Sequence, residues 1–208
     1  SWTSWADNMA QAPASSLIQE LIAANKASRQ EWAVDVGCGT GRAFIPLSEA
    51  GYRVVGLDPT AKGLQLGQQR ALQAHIIAYP VQSSAARLPL QTASISFIFA
   101  IGTLFHLSLI ELTSALQEIQ RILRPDGKAL LHFLDVEDWR RSLAKEIRPE
   151  QAPVPSYQAV VTCFCSRKTI QEWIENAGLK LVSLELRTSA SEAGQQRNWL
   201  AQCARQAD

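Results

Sequence analysis

The chain has 208 residues, 47% of them hydrophobic and 19% charged, which is material for one packed core and no compositional case for disorder. Twenty Lys and Arg against nineteen Asp and Glu leave a formal charge of +1. That balance argues against a surface built to grip nucleic acid and for a small-molecule or protein partner. The four cysteines, Cys38, Cys163, Cys165 and Cys203, are too few and too irregular for a disulfide framework, and no His/Cys group has zinc-ligand spacing. Ser1 to Asn8 lacks the basic start and apolar stretch of a secretory leader. Reduced thiols and a cytoplasmic location are the corresponding expectations.

Short apolar runs alternate with amphipathic segments, the pattern of an α/β sheet with helices on both faces. Ser15 to Ser28 carries Leu17, Ile18, Leu21 and Ile22 at helical spacing. Trp32 to Val36 reads as a strand ending in glycines, and Arg42 to Ala50 as a helix bent by Pro46 and stopped by Gly51. Arg53 to Leu57 is the next strand, ended by Asp58-Pro59. Thr60 is placed to cap a helix running to about Ala74, weakened by Gly63 and Gly67. His75 to Val81 and Ile95 to Ile101 follow as strands. Leu109, Leu112, Leu116, Ile119 and Ile122 stripe one helix face. Arg124-Pro125-Asp126-Gly127 predicts a turn into a strand from Lys128 to Leu134. Leu88 to Ile110 carries no charged side chain, but its scattered polar groups would each need a partner in lipid, so no membrane span is expected.

From Asp135 the chain becomes rich in charge and proline, and Trp139, Leu143 and Ile147 are spaced four apart. The segment at about 135–157 reads as an insertion or lid in an otherwise single domain spanning 1–208. Gln158 to Cys165 has strand character, Thr169 to Asn176 is helical, and Leu179 to Leu186 with Trp199 to Cys203 predicts an edge hairpin.

The informative words are Asp35-Val36-Gly37-Cys38-Gly39-Thr40-Gly41 and, one helix and one strand later, Asp58. A strand that ends in glycines and turns into a helix brings backbone N–H groups against a ligand. An acid at the tip of the neighbouring strand can accept both hydroxyls of a ribose. A dinucleotide loop would carry its third glycine where Arg42 stands, and Asp35 would repel a pyrophosphate while attracting a cationic amino group. No Gly-Lys-Ser/Thr of a phosphate-binding loop follows.

Val34 to Gly41 resembles the first motif of the class I S-adenosylmethionine-dependent methyltransferases, of the small-molecule, methyltransferase type 11-like kind. Val54 to Asp58 resembles the second motif, Ser84 to Leu90 the adenine-flanking segment, and Arg121 to Lys128 the family's turn before the fifth strand. The resemblance covers roughly residues 30–135. It implies a Rossmann-like three-layer α/β/α sandwich with a seven-stranded, mostly parallel sheet and an antiparallel C-terminal edge hairpin. It implies S-adenosylmethionine as cofactor, S-adenosylhomocysteine as product, and no metal. The residues it points to are Asp35 for the amino group, Gly37, Cys38, Gly39 and Gly41 for the loop, Asp58 with Pro59 for the ribose, Ser84 and Ala85 beside the adenine, and Ala100 and Ile101 behind the methionine.

Two departures stand out. Ser84 replaces an acid often found beside the adenine, and Ser96 replaces an aspartate at the start of the fourth strand, away from the chemistry. His106, just past that strand, is the candidate base, against the plainer reading that it packs or caps. His132 reads as structural and His75 as remote. Asp135 either faces substrate or caps the insertion, Trp139 and Tyr157 either wall the acceptor or pack the insertion helix, and Trp2 and Trp5 either cover the cofactor or staple the first helix. The expected function is methyl transfer to an unidentified small molecule, with no nucleic-acid partner. The alternative is a regulatory protein that binds the cofactor and transfers nothing, motivated by Ser84 and the lack of an obvious base.

Overall fold

A computed structural model describes residues 12–27, 31–142, 163–191 and 194–206. The first helix, α1 (Ser16–Ala23), starts where the Ser15 hydroxyl accepts the Ile18 N–H. It stops short of the expected Ser28 because Asn25 turns back on it, its side-chain amide donating to the Leu21 carbonyl at 2.9 Å. Strand β1 (Trp32–Val36) leads into the glycine turn and helix α2 (Phe44–Glu49). Pro46 falls in the first turn of α2, where its missing N–H would have had no helical partner, so the expected bend is not needed.

Strand β2 (Arg53–Asp58) is followed by α3 (Ala61–Gln73) and β3 (Ala78–Gln82). His75 takes a left-handed φ of 54° to close α3, which is why β3 begins three residues later than its hydrophobic run. Strand β4 (Ile95–Ala100) and α4 (Leu109–Ile122) come next, α4 opening on a capping box between Ser108 and Glu111. Strand β5 runs Leu123–Asp135 and includes Arg124 to Gly127, expected as a turn. The extra length is absorbed as a bulge, since β4 pairs Ile95 with Leu123 and then Phe97 with Lys128. Short β6 (Phe164–Cys165), α5 (Arg167–Asn176), β7 (Leu179–Ser191) and β8 (Gly194–Arg205) complete the described chain.

The strands form one sheet in the order β3-β2-β1-β4-β5-β8-β7, with β6 added beside β5. The pairs from β3 through β5 are parallel, and β8 runs antiparallel to both β5 and β7. This is the Rossmann-like three-layer sandwich, with the C-terminal hairpin at one edge. One face buries Val34, Ile98 and Leu131 against Leu112, Leu116 and Ile119 of α4 and Ile170 and Ile174 of α5. The other buries Ala33, Val54 and Phe97 against Ile18 and Ile22 of α1, Phe44 and Leu47 of α2, and Leu64 and Ala71 of α3. The uncharged stretch from Leu88 to Ile110 is a loop, β4 and the start of α4. Among the described residues no helix is long and apolar enough to cross a membrane. Of the expected lid only residues 135–142 are described, ending in a short 3-10 turn, Trp139–Ser142; Leu143, Ile147, Tyr157, Trp2 and Trp5 lie outside the described residues.

Glycines set the spacing of the α2–α3 layer. A methyl group on Gly56 would stand 2.3 Å from the Phe44 ring, and one on Gly41 would stand 2.6 Å from it. Overpacking of that kind costs about 1–3 kcal/mol. Gly56→Ala is therefore expected to lower the unfolding free energy read from urea melts by that amount, and Phe44→Leu in the same chain to recover part of the loss. Additive losses in the double variant would show that the ring is not what Gly56 accommodates.

Candidate active site

The C-terminal ends of β1, β2 and β4 lie side by side, since Val36 pairs with Leu57 and Asp35 with Phe99. The chain leaves β1 toward β2 on one side, whereas β4 adds on the other. Ligands of open α/β sheets bind in the crevice at such a reversal. Three glycines turn the chain there, with φ of 74°, 50° and 70° at Gly37, Gly39 and Gly41. Side chains would strain at these angles.

The loop is tied to β2 by its own backbone. Gly37 and Cys38 donate their N–H groups to the Leu57 carbonyl at 2.7 and 3.1 Å. Gly39 donates to Asp58 Oδ2 at 2.9 Å, and Thr60 donates its N–H to Asp58 Oδ1 at 2.8 Å. The Thr60 hydroxyl also donates to Oδ1 and makes no cap hydrogen bond to α3, so its expected capping role is replaced by a role in holding the acid. Gly63, expected only to weaken α3, lets that helix approach: a methyl there would stand 2.6 Å from Thr60 Oγ1 and 3.0 Å from the Gly39 carbonyl. Asp58 is thus oriented before any ligand arrives.

Asp35 is 4% exposed at the tip of β1. Burial, and then the nearby Asp58 charge, push its carboxyl up to about 7, with Arg42 working in the opposite direction. A buried carboxylate beside another carboxylate is a place where a cation is favoured. Cys38 is buried, and burial likewise pushes its thiol well up, so it acts as apolar wall rather than nucleophile.

The Ser84 to Leu90 segment follows β3, and the adjoining Ser83 N–H donates to the Asp58 carbonyl at 3.1 Å, beside the end of β2. Ser84 is exposed and its hydroxyl accepts the Ala86 N–H at 3.2 Å, while Ala85 is buried. Glu118 and Arg121 of α4 hold this segment: Leu88 N–H donates to Glu118 Oε2 at 2.7 Å, and Arg121 donates to the Leu88 and Leu90 carbonyls at 2.9 and 2.8 Å. Ala100 is fully buried and Ile101 half-buried at the end of β4. Exposed Pro59 gives its carbonyl to Gln82 Nε2 at 2.9 Å.

His106 ends a 3-10 turn, Leu104–His106, half-buried with its ring 4.3 Å from Phe105. His132 is buried in β5 and hydrogen bonded on both ring nitrogens, as a structural histidine should be. Asp135 accepts from Arg197 Nε, Trp199 Nε1 and the Glu137 N–H, so it organises the tip of β5 and does not face outward as a free acid. Ser96 donates to the Trp32 carbonyl at 2.9 Å at the base of β4, the structural position expected for it. Thr103 and Glu118 were not singled out by sequence reasoning, and Thr60 was read only as a helix cap. Thr60 and Glu118 lie three or fewer residues from motif residues, and Thr103 carries no local signal. Among the described residues no three His, Cys, Asp or Glu form a group that could hold a metal.

A family model described as "Methyltransferase domain" matches residues 34–131, the span that holds all four words and the crevice. Over that span, just under half of its length, the chain is similar to the S-adenosylmethionine-dependent methyltransferases. It is 35% identical over 109 residues to the ubiquinone/menaquinone biosynthesis C-methyltransferase UbiE of Rubrivivax gelatinosus, covering 52% of this chain and 41% of that protein. It is 31% identical over 104 residues to the tRNA (carboxymethyluridine(34)-5-O)-methyltransferase ALKBH8 of Macaca fascicularis, covering 50% of this chain and 14% of that protein. The chain thus spans less than half the length of these curated relatives. A solved structure of a SAM-dependent methyltransferase from Methanosarcina mazei superposes with a TM-score of 0.74 over 90% of this chain and 98% of that one, at 16% identity, and shares the fold.

The raised Asp35 carboxyl gives the methyltransferase domain a pH signature. Its folded value of about 7 lies above the ordinary 3.8, so the neutral form is favoured by folding. The stability this lends is full below about pH 4 and is lost as pH rises through 7. Asp35→Asn, which never ionises, is expected to melt higher than the wild type at pH 8, with the gap closing by pH 4. Equal melting temperatures at pH 8 would contradict the burial argument.

Proposed function

We propose that the protein transfers the methyl group of S-adenosylmethionine to a small-molecule acceptor. The observation that carries this reading is the oriented Asp58 carboxylate, held by Gly39 and Thr60 at the mouth of a left-handed glycine turn with buried Asp35 beside it. That set fits the cofactor: two vicinal ribose hydroxyls suit Asp58, and a cationic amino group suits the site where Asp35 resists lone ionisation. Gly37, Cys38, Gly39 and Gly41 would line the cofactor with Pro59 beside the ribose, Ser84 and Ala85 would flank the adenine, and Ala100 and Ile101 would back the methionine.

When bound, the cofactor supplies a methyl carbon on a sulfonium, whose carbon–sulfur electrons leave with sulfur as the acceptor's lone pair forms the new bond. The residues of the chain then have to bind, orient and exclude water, and holding the two partners in line lowers the barrier by several kcal/mol, of the ~7–11 kcal/mol available to proximity. His106, on the turn after β4, would take the acceptor's proton. The near-neutral chain favours a small acceptor over RNA. Residues 1–208 would act as one domain with a lid at about 135–157, working in the cytoplasm.

The test is titration with S-adenosylhomocysteine. Saturable binding is expected in the wild type and at least tenfold weaker binding in Asp58→Ala; absence of saturable binding at millimolar ligand would reject the reading. The affinity is also expected to fall about tenfold between pH 8 and pH 6, as Asp35 takes up a proton with its value of about 7. A flat profile would mean that Asp35 does not hold the amino group. Transfer of labelled methyl groups into the small-molecule fraction of a cell extract, and not into its RNA, would separate an enzyme of small molecules from a tRNA enzyme. Loss of that transfer in His106→Ala with unchanged S-adenosylhomocysteine affinity is expected if His106 is the base.

A further inference from the structure

His132 lies in β5, outside the four sequence words, yet it touches the crevice through a backbone hydrogen bond. Its Nδ1 accepts the Gly102 N–H at 3.2 Å, and its Nε2 stands 3.0 Å from Asn198 Oδ1 on β8. An amide N–H can only donate, so Nδ1 carries a lone pair and the proton sits on Nε2, donated to Asn198. The ring is held in one orientation and one tautomer. Phe105 adds an edge-on contact at 5.2 Å between ring centroids.

Gly102 is the link to the chemistry. It follows Ala100 and Ile101 at the end of β4 with a left-handed φ of 83°, it is exposed, and a methyl placed on it would meet nothing within 4 Å. The adjoining Thr103 packs onto the glycine turn: a methyl on Gly37 would stand 2.0 Å from Thr103 Oγ1, which itself donates to the Gly37 carbonyl at 3.4 Å. The segment from Gly102 to His106 therefore forms one wall shared by the cofactor loop and the open side of the crevice. Its position depends on a bond to a buried ring in the neighbouring strand.

The other end of the ring reaches the start of the insertion. Asn198 Oδ1 also accepts from Arg140 Nη2 at 3.0 Å, and Arg140 grips Asp138 with Nε and Nη2, both at 2.7 Å. The Asp138 side chain is fully buried and takes the Arg197 N–H at 2.6 Å as well. A continuous set of hydrogen bonds thus runs from Gly102 through His132 and Asn198 to Arg140 and Asp138. Each member is satisfied by a partner of fixed polarity, which makes the set rigid.

We propose that His132 is a positioning residue for methyl transfer, fixing the Gly102–His106 wall against which the acceptor is aligned and tying that wall to the base of the insertion. The proposal rests on the methyl-transfer reading for its consequence, and on the Gly102 bond alone for its structural part. The hydrogen bonds and ring contact of His132 described above reach Gly102, Asn198 and Phe105, none of which is assigned to the cofactor. Its loss should therefore misplace the acceptor while leaving cofactor binding intact. Misalignment of about 1 Å is enough to cost a large factor in rate.

The experiment compares the wild type with His132→Phe and with His132→Asn, whose side-chain oxygen can reproduce the Nδ1 acceptor. Three quantities are read: hydrogen exchange at the Gly102 amide, affinity for S-adenosylhomocysteine, and labelled methyl transfer into a small-molecule extract. His132→Phe should exchange Gly102 at least tenfold faster and transfer at least tenfold more slowly at saturating cofactor. Its KM for S-adenosylmethionine and its S-adenosylhomocysteine affinity should stay within threefold, and His132→Asn should recover most of both losses. Wild-type transfer by His132→Phe, an equal loss of cofactor affinity, or no recovery in His132→Asn would overturn the proposal. If the wild type itself transfers nothing, the methyl-transfer reading falls, and unchanged Gly102 exchange in His132→Phe would still overturn the structural part.

A wild-type pH series decides the bond even if the Phe variant does not fold. Burial is the main force holding His132 down to about 4; Arg140 and His106 add to it, while Asn198 and Asp138 oppose it. Protection of the Gly102 amide should therefore persist to about pH 4. Its loss near pH 6.5, where an ordinary histidine titrates, would overturn the bond.

Discussion

Two carboxylates buried at the tips of adjacent parallel strands are the constraint on which the site depends. Asp35 and Asp58 sit at 4% and 8% exposure, close enough for the Asp58 charge to raise the Asp35 carboxyl. The fold treats the two acids unequally. Asp58 receives three donors, from Gly39 and both Thr60 groups, while Asp35 is left to be raised by burial and by its neighbour. The donor from Gly39 exists only because the chain turns through left-handed φ angles after β1. The Thr60 donors exist because Gly63 lets α3 start close against the turn. Loop, helix and acid are one arrangement. A ribose and a cationic amino group are the ligands that would repay it, the first by using an acid already aimed, the second by supplying the missing positive charge.

The remaining walls are positioned by side chains far from the reacting centre. Arg121 and Glu118 on α4 pin the backbone of the Ser84 to Leu90 segment, which gives a physical reason for an arginine in the Arg121 to Lys128 word. On the other side, Asp135, Asp138, Arg140, Arg197 and Asn198 knit the end of β5 to β8 and leave His132 aimed at Gly102. These groups hold loops whose own backbones cannot pack. In an open sheet the crevice is built from connections, so rigidity has to be brought in from the strands and helices beside it.

Most of the sheet was legible in the sequence because parallel strands buried on both faces read as apolar runs, as in Val54 to Leu57 and Ile95 to Ala100. The α4 stripe and the edge hairpin were legible by periodicity. Boundaries failed where a side chain or a left-handed residue overrode the hydrophobic pattern: Asn25 shortened α1, His75 delayed β3, and a bulge drew Arg124 to Gly127 into β5. Pro46 was misjudged because its cost depends on which turn it occupies. In the site, the glycines and Asp58 were visible because a close backbone approach leaves a mark in composition. Thr60 was read as a helix cap and proved to hold the acid. Thr103 left no mark, since nothing local distinguishes a threonine that packs on a glycine 66 residues away.

A crystal structure with bound S-adenosylhomocysteine tests the central claim most directly. The two ribose hydroxyls are expected on the Asp58 carboxylate, the amino group beside Asp35, and the sulfur facing the Gly102–His106 wall. A ligand whose ribose lies away from Asp58, or which occupies another crevice of the sheet, would contradict it.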